Sequence, residues 1–247
     1  MNLVIDIGNT YTKLAVFKEG TVVFKNRYQA VDMPLVDKLL SEYAIRRVII
    51  SSVKTEKEEW ALELAGKVSL KYFNLNMAAG ITNHYLTPAT LGTDRLAAVL
   101  GAKYLFPGQA SLVISGGTCI TYDWVDAEGN YFGGSISPGL KMRYKALHAF
   151  TAGLPLVTAD EGFEGSYGSN TLNAIQSGVQ NGIKYELEGF IKSYNKVPGT
   201  ELNIILTGGD GIFFDTLLKN SIFAPCIKIE PDLVLEGLNA AIHDNND

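Results

Sequence analysis

Two cysteines and three histidines are all the thiol and imidazole that 247 residues contain. Cys119 and Cys226 stand apart, with neither ligand spacing nor a disulfide framework, and they fit a reducing, cytoplasmic compartment. His84, His148 and His243 are scattered, which argues against a zinc-type metal centre. No run of Lys and Arg exceeds two residues and the formal net charge is −5, so a nucleic-acid surface is not expected. Long apolar runs are missing too. Asp6 interrupts the opening one after five residues, so neither a secretory leader nor a membrane span is expected. There is also no Gly-x-x-x-x-Gly-Lys-Ser/Thr segment, which excludes a P-loop.

What remains is an ordinary globular composition, 47% hydrophobic and 19% charged. The apolar pattern predicts strands over 3–7, 12–17 and 21–27, a helix over 34–43, and a β-branched strand over 47–52. Helices are expected over 57–68 and 93–105. Pro107-Gly108 then breaks the chain and marks a boundary between domains 1–107 and 108–247. Beyond it, strands are expected over 111–115, 119–125 and 131–136, with a helix running through about 150. An irregular loop follows over 151–168. Helices over 170–194, 212–219 and 232–242 and strands over 202–206 and 227–229 complete the chain. Three antiparallel strands followed by alternating helix and strand, twice over, make a mixed α/β architecture.

The two halves echo one another. Placing Asp6 on Ser115, an offset of 109 positions, aligns Gly8 with Gly117, Thr12 with Thr121 and Gly20 with Gly129. Each copy is an apolar strand, a glycine turn rich in hydroxyls, and a second strand. Such tips expose N–H and hydroxyl groups suited to a phosphate chain. In the first, Asp6 ends a buried strand before Gly8. It either caps the turn at Gly8-Asn9 or orients a hydrated magnesium ion at a nucleotide's phosphates. Thr10, Thr12 and Lys13 offer two hydroxyls and a cation to the same phosphates.

Leu91-Gly92-Thr93-Asp94-Arg95 is the second constellation. An Asp at a helix start is either a cap or a group that accepts a proton from an attacking hydroxyl. Arg95 presents a fork of donors suited to a carboxylate, and Tyr85 adds a phenol from the same loop.

Asp6-x-Gly8-Asn9-Thr10, Tyr85-x-x-Pro88-x-x-x-Gly92-x-Asp94-Arg95, Gly117-Thr118 and Gly133-Gly134-x-Ile136-x-Pro138-Gly139 come in this order. Thr171 with Ser177-Gly178, then Thr207-Gly208-Gly209-Asp210, complete the set. Together they resemble type III pantothenate kinase over almost the whole chain. The resemblance implies two ribonuclease-H-like domains of the actin-like ATPase superfamily, each a mixed sheet flanked by helices. It also implies ATP-dependent phosphorylation of pantothenate to 4'-phosphopantothenate, the first step of coenzyme A synthesis. It assigns Asp6, Ile7, Gly8, Asn9, Thr10, Tyr11, Thr12, Lys13 and Thr118 to ATP, with magnesium at Asp6 through water. Asp94 becomes the proton acceptor, and Tyr85, Gly92, Thr93, Asp94, Arg95 and Thr171 contact pantothenate. A homodimer and a monovalent cation, K⁺ or NH₄⁺, are implied as well.

Two positions depart from that pattern. Ser115 stands where the family carries an Asp of the cation site, and Cys119 where it carries Ala. A hydroxyl still ligates a large cation but supplies no negative charge. Asp123 and Asp126 are expected to face solvent on a strand and its turn, with a role near the cleft, in place of Ser115 at the cation, as the alternative for Asp123. A catalytically inactive accessory protein of the same fold and an actin-like sugar kinase are the competing readings. Asp94 with an intact first loop disfavours the former, and the short chain disfavours the latter.

Overall fold

Asn2–Ile7 forms β1, and all six of its residues are buried, so the strand must be covered on both faces. The protein, seen in a computed structural model, is described over residues 1–53, 58–195 and 202–244. β2 (Thr12–Lys18) pairs antiparallel with β1 and with β3 (Thr21–Tyr28). β4 (Arg47–Ser52) runs parallel to β1, and β5 (Ser69–Tyr72) parallel to β4. The sheet order is therefore β3-β2-β1-β4-β5.

Alternation along β1 sorts its side chains. Leu3, Ile5 and Ile7 join a core with α1 (Met33–Glu42) and α2 (Glu59–Ala65), through Val36, Leu39, Ala61 and Leu64. Val4 faces the other way, into a cluster with Leu96 and Leu100 of α3 (Thr93–Leu105) and Leu235 and Leu238 of α7 (Leu233–Asp244). Asp32 caps α1 by accepting the Leu35 N–H at 3.0 Å, with Pro34 in the first turn where no donor is missed. Between α2 and α3 the chain includes a two-residue strand, β6 (Thr82–Asn83).

The second sheet repeats the plan. β7 (Ala110–Gly116) pairs antiparallel with β8 (Cys119–Val125), which pairs antiparallel with β9 (Asn130–Pro138). β10 (Leu202–Gly208) is parallel to β7, and β11 (Ile227–Ile229) parallel to β10. The order β9-β8-β7-β10-β11 thus reproduces that of the first sheet. Even the irregularities recur. Register shifts fall at Val16/Phe17 and at Trp124/Val125, and the turn glycines Gly20 and Gly129 both take positive φ, 81° and 96°. One face of this sheet is apolar. Leu112, Ile114, Tyr122, Ile204 and Leu206 pack on α4 (Leu140–Ala149), α5 (Thr171–Tyr194) and α6 (Gly211–Leu218).

The chain divides into two compact units, Met1–Pro107 with Leu233–Asp247, and Gly108–Asp232. The division falls at Pro107-Gly108, but α7 goes with the first unit, whereas the sequence reading left it in 108–247. The reason lies in two glycines. A Cβ on Gly237 would sit 1.9 Å from the Ala97 carbonyl oxygen, and one on Gly101 would sit 2.3 Å from that of Leu233, so α7 and α3 cross backbone on backbone. β5 has no counterpart among the expected strands; it is four residues with a weak exposed/half-buried alternation at a sheet edge. The helix expected over 57–68 is seen as Glu59–Ala65, and Lys57 lies outside the described residues. Among the described residues no helix is long and apolar enough to cross a membrane.

Candidate active site

Asp6 lies in antiparallel register with Lys13 of β2 and in parallel register with Ser51 of β4. It is 8% exposed, and its Oδ1 has no hydrogen-bond partner among the described residues. Burial pushes its pKa up to about 6; Lys13 pulls it down, and Asp94 pushes it up. A buried carboxylate oxygen without a donor is costly unless something polar is brought to it. Ile7 is buried beneath the turn, where the Gly8 N–H donates to the Tyr11 carbonyl at 3.1 Å. Asn9, Thr10 and Tyr11 are exposed, and the Arg27 guanidinium lies 5.2 Å from the centre of the Tyr11 ring. Thr12 is buried, so of the two hydroxyls expected to meet phosphate only that of Thr10 faces outward.

Asp94 sits in the first turn of α3, where the helix dipole favours a negative charge. Its Oδ1 accepts the Arg95 N–H at 2.9 Å. Gly92 makes room for that rotamer, since a Cβ there would lie 2.5 Å from the same oxygen. Thr93 is tied inward. Its Oγ1 lies 3.0 Å from Ser51 Oγ and donates to the Ser52 carbonyl at 3.2 Å. The end of β4, in register beside Asp6, therefore holds the start of α3. Arg95 is 6% exposed with its guanidinium carbon 5.7 Å from the centre of the Tyr85 ring, a cation–π distance. Tyr85 is oriented by its N–H, which donates to Asn83 Oδ1 at 3.0 Å. Leu91 and Thr93 also line an open cavity of about 330 Å³, walled by Phe73, Leu75, Pro88 and Leu96.

Asp6, Lys13, Tyr85, Gly92, Thr93, Asp94 and Arg95 all belong to the first unit; Ser115, Thr118 and Thr171 belong to the second. Thr118 is exposed at the β7–β8 turn, and Thr171 is exposed at the start of α5, capped by Asn170. Ser115 lies opposite Thr121 and Thr207, hydroxyls both, and the buried Thr207 Oγ1 has no hydrogen-bond partner among the described residues. Asp123 is a correction to the sequence reading. It is 1% exposed and accepts the Tyr131 hydroxyl at 2.7 Å, because Asp123 points to the face away from the Tyr122 core. Asp126 is half-buried and organises the β8–β9 turn by accepting from Asn130 N and Nδ2 at 2.7 and 2.8 Å.

The third glycine turn is held tightly. Gly208, at φ 82°, would place a Cβ 2.3 Å from the Gly116 carbonyl oxygen, which accepts the Asp210 N–H at 3.1 Å. Burial raises the Asp210 pKa against the opposing pull of Lys141. Ser51, Thr207 and Lys141 were not among the expected site residues. Only strand register brings the first two beside Asp6 and Ser115, and no spacing in the chain encodes it.

This geometry can be set beside known proteins. The type III pantothenate kinase family profile matches residues 2–193. Relatives described as type III pantothenate kinase include that of Phocaeicola vulgatus, 44% identical over 248 residues and covering 100% of this chain and 99% of its own. That of Christiangramia forsetii is 43% identical over 247 residues, covering 99% of each chain. Among solved structures, one from Campylobacter jejuni described as a Baf family transcriptional activator superposes with a TM-score of 0.60 at 21% identity, covering 98% of both chains. A 2-dehydro-3-deoxygalactonokinase-type protein from Sinorhizobium meliloti gives 0.61 at 14% identity, covering 99% of both. At such identities these structures speak to fold alone, two mixed α/β sheets flanked by helices. The relatives at above 40% identity speak to more. The chain belongs to the type III pantothenate kinase family, and its reaction is the ATP-dependent phosphorylation of pantothenate.

Proposed function

We propose that Asp94 is the general base of this reaction and that Asp6 organises the metal–nucleotide end of the site. One observation carries the reading: Asp6, a buried carboxylate with an unpartnered oxygen, is in register with Ser51, whose hydroxyl meets that of Thr93 next to Asp94 in the same unit. The pantothenate hydroxyl gives its proton to Asp94 as its oxygen bonds to the γ-phosphorus. The bond from that phosphorus to the bridging oxygen breaks, and ADP leaves. Asp94 stands at a helix start, where negative charge is favoured, and is partly open to solvent, where a substrate hydroxyl can reach it.

The donor set at Asp6 suits magnesium, since an orphaned carboxylate oxygen is a hard ligand that accepts from ordered water. When bound, the ion neutralises charge on the phosphates. Gly8, Asn9, Thr10, Tyr11 and Lys13 take the phosphate chain, and Thr118 makes a further ATP contact. Thr12 backs the loop from within. Arg95 and Tyr85 take the pantothenate carboxylate, and Thr171 contacts the same substrate.

The repeated strand order supports reading each unit as ribonuclease-H-like, with the junction at Pro107-Gly108 and α7 returned to the first unit. The enzyme is a cytoplasmic homodimer; the exposed Phe150, Tyr167 and Leu172 supply apolar surface for a partner copy. A K⁺ or NH₄⁺ ion at Ser115 would have the hydroxyls of Thr121 and Thr207 beside it in register, none of which carries a negative charge, so it is held weakly.

A coupled ADP-release assay with ATP and magnesium, run with and without pantothenate, tests this reading. It expects ADP formation that depends on pantothenate. Binding of both ligands without turnover would favour an accessory protein instead.

A further inference from the structure

We propose that Arg143 and Glu186 form a clamp that positions the Gly117–Thr118 turn for ATP. The inference rests on the assignment of Thr118 to ATP made above.

The turn has little of its own to hold it. Gly117 and Thr118 are exposed, and within the turn the Gly117 N–H donates to the Cys119 carbonyl at 3.0 Å. Its seat is the Pro138-Gly139 segment that ends β9. There the Gly139 N–H donates to the Thr118 carbonyl at 3.1 Å, and Pro138 lies opposite Cys119 in register. The fit is close. A Cβ on Gly139 would fall 2.1 Å from the Gly117 carbonyl oxygen and 2.6 Å from that of Thr118. Any shift of Pro138-Gly139 is therefore passed to the turn.

Arg143, on the first turns of α4, holds that segment. Its Nε donates to the Pro138 carbonyl at 2.8 Å, and its backbone N–H to the Gly139 carbonyl at 3.0 Å. The guanidinium is aimed by Glu186, whose Oε2 accepts from Arg143 Nη2. The other carboxylate oxygen accepts from Ser137 Oγ and, at 2.8 Å, from the Tyr122 hydroxyl. Burial acts to raise the Glu186 pKa, but the three donors outweigh it and keep the carboxyl below its usual range. The anchor is stiff. Tyr122 is fully buried and stacks on Phe190, one turn beyond Glu186 in the 24-residue α5, with ring centroids 4.0 Å apart.

The path runs from α5 through Glu186 and Arg143 to Pro138-Gly139 and so to Thr118. α4 is already docked on α5 by Leu140 and Tyr144, with Val179, Ile183 and Leu187 in the same core. Arg143 and Glu186 side chains are 19% and 21% exposed, and a partly solvated pair adds little to stability by itself. The fork of Arg143, with Nη2 on Glu186 and Nε on Pro138, instead fixes one carbonyl. Arg143 and Glu186 are positioning residues.

The experiment compares Arg143→Lys, Glu186→Gln and Thr118→Ala for KM of ATP, KM of pantothenate and Tm. Lysine keeps the charge but has no fork to engage Glu186 and Pro138 together. Glutamine turns an NH₂ donor towards Arg143 or withdraws an acceptor from Ser137 and Tyr122. All three variants are expected to raise KM for ATP about tenfold, the loss of a charge-assisted hydrogen bond, with KM for pantothenate and Tm near wild type. If Thr118→Ala raises it and the other two do not, the clamp is overturned while the ATP assignment stands. If Thr118→Ala has no effect, the assignment fails and the clamp with it. A parallel loss in both KM values or a large fall in Tm would assign the pair to structure alone.

Discussion

The hydroxyl of Ser51 lies 3.0 Å from that of Thr93, joining the end of β4 to the first residue of α3. Ser51 is in register with Asp6, and Thr93 precedes Asp94, so this one contact ties the strands that carry one carboxylate to the helix that carries the other. Thr93 also donates to the Ser52 carbonyl. Ser51 is fully buried and cannot touch a substrate.

If Thr93 acts as this strut, Ser51→Ala reproduces much of the effect of Thr93→Val. Each removes a buried hydrogen bond, at about 1 kcal/mol of stability, and loosens the placement of Asp94. Both variants should lower kcat severalfold with KM for ATP little changed. Were Thr93→Val to raise KM for pantothenate alone while Ser51→Ala did nothing, Thr93 would be a substrate contact instead.

Asp6 sets a pH dependence. Its pKa is about 6 in the folded protein against 3.8 for the free side chain. Between those values the folded state binds more protons than the unfolded one, so stability falls as pH rises through the window. The loss is fully present above about pH 6 and amounts to about 3 kcal/mol at most. In the ligand-free protein Asp6→Asn should therefore raise Tm at pH 8 and change it little near pH 4. An equal shift at both pH values would remove the burial argument. In the active enzyme, kcat/KM for ATP should fall below about pH 6 as Asp6 takes up a proton.

Gly237→Ala places a methyl group 1.9 Å from the Ala97 carbonyl, and backbone cannot yield cheaply. We expect a loss of about 2 kcal/mol, read as a Tm lower by about 6 °C in a chain of this size. A Tm unchanged by the substitution would mean that α7 does not rest on α3 as described.

Ser115→Asp should lower the K⁺ concentration giving half-maximal activity, because a full charge replaces a dipole beside Thr121 and Thr207. The alternative that Asp123 has taken over the cation is weakened by its acceptance of the Tyr131 hydroxyl. Titration of KCl against choline chloride at constant ionic strength makes the comparison. No response to K⁺ in either protein would leave Ser115 without a cation role.

Much of this was legible in the chain. The edges of β4, α3, β8 and β11 coincide with the expected spans, because β-branched runs, a Gly-Thr-Asp start and a Pro-Gly stop are local signals. The offset of 109 residues survives as a shared strand order and a shared bulge. Long-range facts were not legible. α7 returns to the first unit because of Gly237, which reads locally as a mild helix flaw. Asp123 reads as a solvent-facing strand residue until Tyr131 is found beside it. Ser51 looks like an ordinary strand end until parallel pairing sets it beside Asp6.

The most direct test is the turnover of Asp94→Asn with saturating ATP, magnesium and pantothenate, alongside its affinity for ATP. Asparagine keeps the shape and can still accept the Arg95 N–H, but it cannot take the hydroxyl proton. A fall in kcat of about a hundredfold or more is predicted, with the fold and ATP affinity preserved. Near-wild-type turnover in the purified variant would contradict the role of Asp94 as base.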